Sequence, residues 1–241
     1  MIERKKSLAD LRDEMNISST TAIHALKELG KSNLTCQDKN RDYYLTNTGR
    51  IVALKLLDFI NAAQVLQKHE RFWLEHDLSG IPEYMMERIG WLKDSKIIQV
   101  SQLDIIKTHS SYISYIKTAK WVKGVYPIYS SDYAIVFKEL IERNINICLI
   151  LSEAVLNKLI EAAGLDYLRN ATSRYNLEIL IANEKLEVAF TVTDSFLSLG
   201  LFTKNGVYDI THDLVAADER AVHWGHELFE YYRDRTKRYE L

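Results

Sequence analysis

The sequence predicts an α/β chain, α+β overall, in three stretches: a small helical unit with a hairpin, a long linking helix, and a mixed α/β domain. Three patterns predict it. Helix, tight turn, helix and two short β-prone runs follow one another between Ser7 and Leu45. An apolar stripe at helical spacing then runs over Thr48–Lys68. From Ser95 onward, apolar runs of strand length alternate with amphipathic helical segments, the pattern of βαβ units. The expected divisions are residues 1–47, 48–92 and 93–241.

In the first helix Leu8, Leu11 and Met15 share one face. Asn16, Ile17 and Ser18 break the run. Ser18 or Ser19 is placed to cap a second helix, its side-chain oxygen accepting from the first free backbone N–H groups. That helix turns Ile23, Leu26 and Leu29 inward and ends at Gly30. Its outer face carries Ser19, Thr20, Thr21, His24, Lys27 and Lys31. The runs Asn33–Cys36 and Tyr43–Leu45 follow, joined by the polar loop Gln37–Asp42 with Lys39 and Arg41 near its tip. This order is the winged form of a helix-turn-helix, whose second helix enters the major groove of double-stranded DNA. Lys27, Lys39 and Arg41 are then expected at phosphates, and Thr20, Thr21 and His24 at bases or backbone, with Ser19 and Lys31 as further DNA-binding residues. Only Met1–Lys6 precede this unit, too little apolar surface for the helix that usually closes a winged helix from below. That first helix is expected from upstream, or its place is filled by a partner subunit.

Composition agrees with a folded protein. Of 241 residues 47% are hydrophobic and only two are proline. The net charge is −2, but it is unevenly spread. Residues 1–50 hold nine Lys/Arg and seven Asp/Glu, and the rest of the chain 22 and 26. The positive excess falls on the end that would meet phosphate, and it is small enough that two copies would be needed for firm binding. Cys36 and Cys148 have no partner motif and are expected to be buried small hydrophobes. No signal peptide and no apolar run of membrane-spanning length is present, which predicts a cytoplasmic protein without membrane contact.

The Thr48–Lys68 helix places Val52, Leu56, Phe59, Ile60, Ala63 and Leu66 on one side. Two readings stand: the stripe pairs with its twin in a homodimer, or it packs on the chain's own second domain. Between His69 and Leu92, Phe72 and Trp73 make an aromatic anchor, Ser79–Gly80 breaks the chain direction, and Pro82 opens a helix with Met85, Met86, Ile89 and Leu92 inward. His69 and His76 are expected to face solvent. Beyond Ser95 the expected strands are Lys96–Val100, Lys120–Tyr126 and Ile145–Leu151, with helices Leu103–Thr118, Asp132–Asn144 and Glu153–Ala163. Tyr175–Ala182, Leu186–Thr193 and Ser195–Phe202 read as consecutive antiparallel strands because their connections are so short. A short Leu214–Ala216 strand precedes a helix capped by Asp218 and running to about Lys237, with Trp224, Phe229 and Tyr232 in the core.

"FWLEHDLSGIPEYMMERIGWL" (Phe72–Leu92), "YNLEILIANEKLEVAFTVTDSFLSLGLF" (Tyr175–Phe202) and "WGHELFEYYR" (Trp224–Arg233) resemble the archaeal winged-helix regulators of the methanogenesis-regulator (FilR-type) family. The resemblance covers nearly the whole chain from Ser7. It implies an archaeal transcriptional regulator with a winged helix followed by a sensor domain. The second domain also looks similar to a degenerate phospholipase D-like half. That chemistry needs His-x-Lys, and no His-x-Lys occurs in the chain. No Walker loop, Gly-x-Gly-x-x-Gly or serine elbow occurs either. His223 and His226 lie one helical turn apart with no third ligand near in sequence, so a packed or solvated helix face is expected. No catalytic residue, metal or cofactor is expected, and the chain reads as a non-enzyme. Candidate effector contacts cluster after the Lys120–Tyr126 strand: Trp121, Lys123, Tyr126, Tyr129, Ser130 and Ser131, with His212 from a facing loop. Hydroxyls beside a cation suit a small polar or anionic effector. The expectation is a dimeric DNA-binding transcriptional regulator. The alternative is a non-catalytic small-molecule-binding or degenerate hydrolase-like protein whose winged helix mediates protein contacts.

Overall fold

The computed structural model describes residues 1–2, 4–99, 116–173 and 176–239. They divide into two compact units, Met1–Asn61 and Ala62–Leu241.

In the first unit, α1 spans Leu8–Met15. Ser7 and Asp10 cap it reciprocally, the Asp10 amide donating to Ser7 Oγ at 3.1 Å and the Ser7 amide to Asp10 Oδ2 at 2.9 Å. Asn16, left-handed at φ 51°, ends the helix. After this turn Ser18 caps α2 (Ser19–Lys31) by accepting from the Thr21 amide at 3.1 Å. The inward row of α2 is Ala22 and Leu26, whereas Ile23 and Leu29 flank that row and stay 36% and 37% exposed. Two strands follow, β1 (Thr35–Gln37) and β2 (Tyr43–Leu45), paired antiparallel. Thr35 points inward and its hydroxyl donates to Leu26 O at 3.5 Å, so its neighbour Cys36 faces out and is exposed, not buried as expected. Lys6 exchanges two backbone hydrogen bonds with Tyr43, at 2.8 and 3.0 Å, which adds an extended arm to the hairpin. The long helix α3 is Asn47–Lys68. Its start is seated by Thr46, whose hydroxyl accepts from the Gly49 amide at 2.9 Å and donates to Asn33 O at 2.6 Å.

Among the described residues the second unit is built on a nine-stranded sheet. Its strands are β3 (His76–Asp77), β4 (Lys96–Gln99), β5 (Trp121–Tyr126), β6 (Asn146–Leu151), β7 (Leu177–Ala182), β8 (Val188–Thr193), β9 (Leu197–Thr203), β10 (His212–Ala216) and β11 (Thr236–Arg238). The order is β11-β7-β6-β5-β8-β9-β10-β4, with β3 added to β9. The β5–β6 and β6–β7 pairs are parallel and the rest antiparallel. The expected run of three consecutive antiparallel neighbours is therefore corrected: β7 sits beside β6, and β8 is inserted between β5 and β9. The connection 183–187 suffices, because five residues at ~3.3 Å each cross the ~14 Å of three strand spacings.

One sheet face packs Val125, Ile150, Phe190 and Leu199 against Trp224, Leu228 and Phe229 of the Glu219–Arg233 helix. The other packs Val122, Leu149 and Ile179 against Leu140, Leu156 and Leu168. These three come from the helices Ser131–Glu142, Glu153–Ala163 and Leu165–Ser173, the last not anticipated from sequence. The Glu219–Arg233 helix ends before Lys237, which instead lies in β11 against the edge of β7. The helix expected over Leu103–Thr118 lies outside the described residues except at its very end. His69 and His76, expected in solvent, are 7% and 3% exposed. Hydrogen bonds make this burial tolerable: His69 Nε2 meets Ser95 O at 3.2 Å and Ser95 Oγ at 3.1 Å. Among the described residues no helix is long and apolar enough to cross a membrane.

Candidate nucleic-acid interface and ligand sites

Thr20, His24, Lys27 and Lys31 recur at four-, three- and four-residue steps, so they form one outward stripe on α2 opposite Ala22 and Leu26. All four are exposed, as are Ser19 and Thr21. Their surroundings differ. Thr21 Oγ1 shares a hydrogen bond with Ser18 Oγ at 2.8 Å and so belongs to the helix cap. Lys31 is paired with Glu28 at 2.7 Å. In the wing, Asp38 accepts from the amides of Asn40 and Asp42 and pairs with Lys5 at 2.8 Å. The Lys5 ammonium and these amides hold the Asp38 carboxyl below its usual range. Arg4 and Lys6 reach Glu14, and Arg12 reaches Asp13. Lys27, Lys39, Arg41 and Arg50 have no acidic partner among the described residues of the unit. Three of these were expected at phosphate. Arg50 was not singled out by sequence, since a cation in the first turn of an apolar helix reads as ordinary solvation.

The expected effector contacts fall in three places. Strand alternation puts Trp121 and Lys123 on the sheet face opposite Tyr126. There Lys123 Nζ donates to Glu230 Oε1 at 2.6 Å, approaches His226 Nδ1 at 3.3 Å and lies over the Phe229 ring at 5.2 Å. The cation that suggested an anionic ligand is thus already paired. Tyr126, Tyr129 and Ser130 come together at the carboxyl ends of β5 and β6, where they line a depression with Ile128, Phe137, Leu149, Leu151, Val155 and Leu159. Most of that lining is apolar, and its enclosed space of about 30 Å³ has room for only about two waters. The hydroxyl of Tyr126 bonds Thr191 Oγ1, while Ser131 is exposed at the start of its helix. His212 is elsewhere, on β10.

Two family models match the chain: the N-terminal domain of methanogenesis regulatory protein FilR1 over residues 1–64, and its middle domain over residues 105–235. The chain belongs to the FilR1 family. A curated relative, methanogenesis regulatory protein FilR1 of Methanothrix harundinacea (strain 6Ac), is 30% identical over 97% of this chain. The chain spans about half of that relative's length, 53%. Among solved structures, TrmBL2, described as an archaeal chromatin protein with a novel mode of DNA binding, is similar at a TM-score of 0.48. It is 13% identical, with 98% of this chain and 88% of that one covered. Nuc from Salmonella typhimurium, a phospholipase D family member, is similar at 0.46 and 13% identity, with 61% and 98% covered.

A polar hub that sequence reasoning missed joins His76 to Asp209, Thr211 and His212. Asp209 Oδ2 faces His212 Nδ1 at 2.8 Å and His76 Nε2 at 3.0 Å, and its Oδ1 accepts from the Thr211 amide and hydroxyl. His76 Nδ1 is 2.6 Å from Phe72 O. Burial alone would raise the Asp209 carboxyl, but the Thr211, His212 and His76 hydrogen bonds overcome it and hold the group at about 2. The hub ties β3 to the loop before β10. Nearby on β10, Asp213 accepts from the Ser198 hydroxyl, and burial pushes its carboxyl up to about 6. Cys148 donates to Glu178 Oε2 at 3.2 Å, and burial, with that carboxylate, pushes its thiol up to about 12. His223 stacks on Trp91 at 5.7 Å and pairs with Glu227 at 3.1 Å. Among the described residues no three His, Cys, Asp or Glu groups converge as metal ligands.

Proposed function

We propose that this FilR1-family chain is a DNA-binding transcriptional regulator that acts as a homodimer and performs no chemistry of its own. The observation that carries the reading is the exposed Thr20–His24–Lys27 stripe, backed by a buried Ala22–Leu26 row and flanked by cations without acidic partners. In the major groove this stripe presents hydrogen-bonding side chains to base edges, with Ser19 and Thr21 at the helix start. Lys27, Lys39 and Arg41 neutralise phosphates, and Arg50 adds a fourth such contact. The family description, a methanogenesis regulatory protein, supports a regulatory role. Two copies associate through α3, whose Val52, Leu56, Phe59, Ile60 and Leu66 are exposed.

The second unit serves to sense a small effector. The place best suited is the depression at the carboxyl ends of β5 and β6, where loops follow parallel strands. Tyr129 and Ser130 offer hydroxyls there to a polar group over an apolar floor.

The test is selection of bound duplexes from a random pool at two salt concentrations, repeated with variants. Lys27→Ala should weaken binding to all sequences alike and lower the salt slope by about one. Thr20→Ala and His24→Ala should change which sequences are enriched. If none of the three alters affinity or preference in a chain that does select DNA, α2 is not the reading helix. If the wild-type chain enriches no sequence at either salt, the DNA-binding reading fails.

A further inference from the structure

We infer that Asp38 is a positioning residue for DNA: its carboxylate pre-forms the tip of the wing and so holds the Arg41 side chain ready for phosphate. The inference rests on the DNA-binding reading and deepens it.

Asp38 and Asp42 close the tip, the Asp38 amide donating to Asp42 O at 2.9 Å. Inside that closure Asp38 Oδ1 accepts from the Asn40 amide at 2.9 Å and from the Asp42 amide at 3.0 Å. A side chain bonded in this way stands in for a turn of backbone and selects one conformation of a polar loop. Asp38 Oδ2 accepts from Lys5 Nζ at 2.8 Å. Lys5 belongs to the arm that Lys6 ties to Tyr43, so the carboxylate is fixed from a separate strand. The Asp38 side chain is 19% exposed, whereas Lys39, Asn40 and Arg41 around it point to solvent.

The backbone at Arg41 links this loop to function. Its φ is 67°, in the left-handed region. The other non-glycine residues with positive φ among the described residues are Asn16, Asn33 and Asn144. Asparagine reaches this region by bonding its short side chain locally, and glycine enters it freely; arginine has neither means. Neighbours hold Arg41 there from both sides. Its amide donates to Asp38 O at 3.0 Å, and its carbonyl accepts from Gln37 Nε2 at 2.9 Å. A strained position that glycine would relieve, filled instead by a long exposed cation, points to use of that cation.

Charge alone predicts the opposite role for Asp38. A carboxylate beside DNA repels phosphate, and removing it would raise the unit's charge by one and free Lys5. By that account Asp38→Ala tightens DNA binding. As a positioning residue Asp38 acts the other way: without it the Asn40 and Asp42 amides turn to water. The tip must then be ordered at each encounter, which weakens binding.

The test measures the affinity of the full chain for the duplex most enriched from a random pool, by fluorescence anisotropy at about 0.1 M salt. Asp38→Ala should weaken binding about tenfold. Asp38→Asn keeps an oxygen for the two amides and forms the same turn, so it should stay within about threefold of wild type. Arg41→Gly suits the left-handed backbone and removes the side chain; it should weaken binding and lower the salt slope by about one. In that background Asp38→Ala should cost at most about a further threefold. Asp38→Ala binding as tightly as wild type, Asp38→Asn as weak as Asp38→Ala, or Arg41→Gly without effect each overturns the inference. An equal loss from Asp38→Ala with Arg41 present or replaced shows that Asp38 supports the fold and not the contact, and overturns it too. If the wild-type chain enriches no duplex, the DNA-binding reading fails and this inference with it.

Discussion

Gly49→Ala is a one-carbon change whose effect follows from the seating of α3. A Cβ at position 49 would stand 1.8 Å from Leu34 O and 2.7 Å from Leu34 C, both backbone atoms. Restoring an ordinary contact requires the first turn of α3 to back away from the hairpin by about 1.5 Å. That retreat strains the Thr46 amide bond to Leu34 O at 3.0 Å and the Thr46 hydroxyl bond to Asn33 O at 2.6 Å. Overpacking costs ~1–3 kcal/mol and two weakened hydrogen bonds ~1 kcal/mol each, against ~1 kcal/mol gained from alanine's helix propensity. The net, about 2–4 kcal/mol, is large for a unit of this size. All four tryptophans, Trp73, Trp91, Trp121 and Trp224, lie in the other unit, so fluorescence reports that unit alone. Urea unfolding of Gly49→Ala should keep the wild-type fluorescence transition. Amide exchange at Leu34, Thr46 and position 49 should accelerate at least tenfold, and DNA affinity should fall in step. Unchanged exchange together with unchanged DNA binding would refute the account of how α3 is held.

Two further predictions concern carboxyls of the second unit. Asp209 is held at about 2 against an ordinary 3.8, so its stabilisation is present above pH 4 and is lost as pH falls through 2. Asp209→Asn should therefore cost about 2 kcal/mol at pH 7 in urea unfolding and progressively less below pH 4. Asp213 has the opposite sign: pushed up to about 6, it stabilises most below pH 4 and loses that contribution as pH rises through 6. Asp213→Asn should raise the thermal midpoint at pH 7 and leave it near the wild-type value at pH 4. Equal shifts at both pH values would show that the carboxyl's charge is not the cause.

Local signals in the sequence translated well. The polar cap at Ser18, the Asn16 break and the wing at Tyr43–Leu45 all depend on neighbours within a few residues, and each is where its chemistry placed it. The Glu153–Ala163 helix matches to the residue, with Ser152 accepting from the Val155 amide. What failed depended on distant partners. His76 looks like a solvent histidine until Asp209, 133 residues on, is brought to it. The neighbours of β8 are set by the whole sheet, and connection length alone suggested β7. The effector set was scattered for a reason visible in the sequence itself: Lys123 and Tyr126 differ by an odd number of strand positions, so they cannot share a face. Cys36 beside inward Thr35 follows the same alternation.

The two ends of the large sheet carry a further consequence. Its outermost strands are β11, three residues long with Lys237 and Arg238 exposed, and β4, four residues long with Lys96 exposed. A short, charged margin is a poor template for another chain's backbone, since a strand added there would gain few ladder bonds and would bring lysine or arginine against its own copy. The sheet therefore offers a poor template for strand addition at both described margins. Removing Lys237 and Arg238 would leave the fold its core and take away this obstacle.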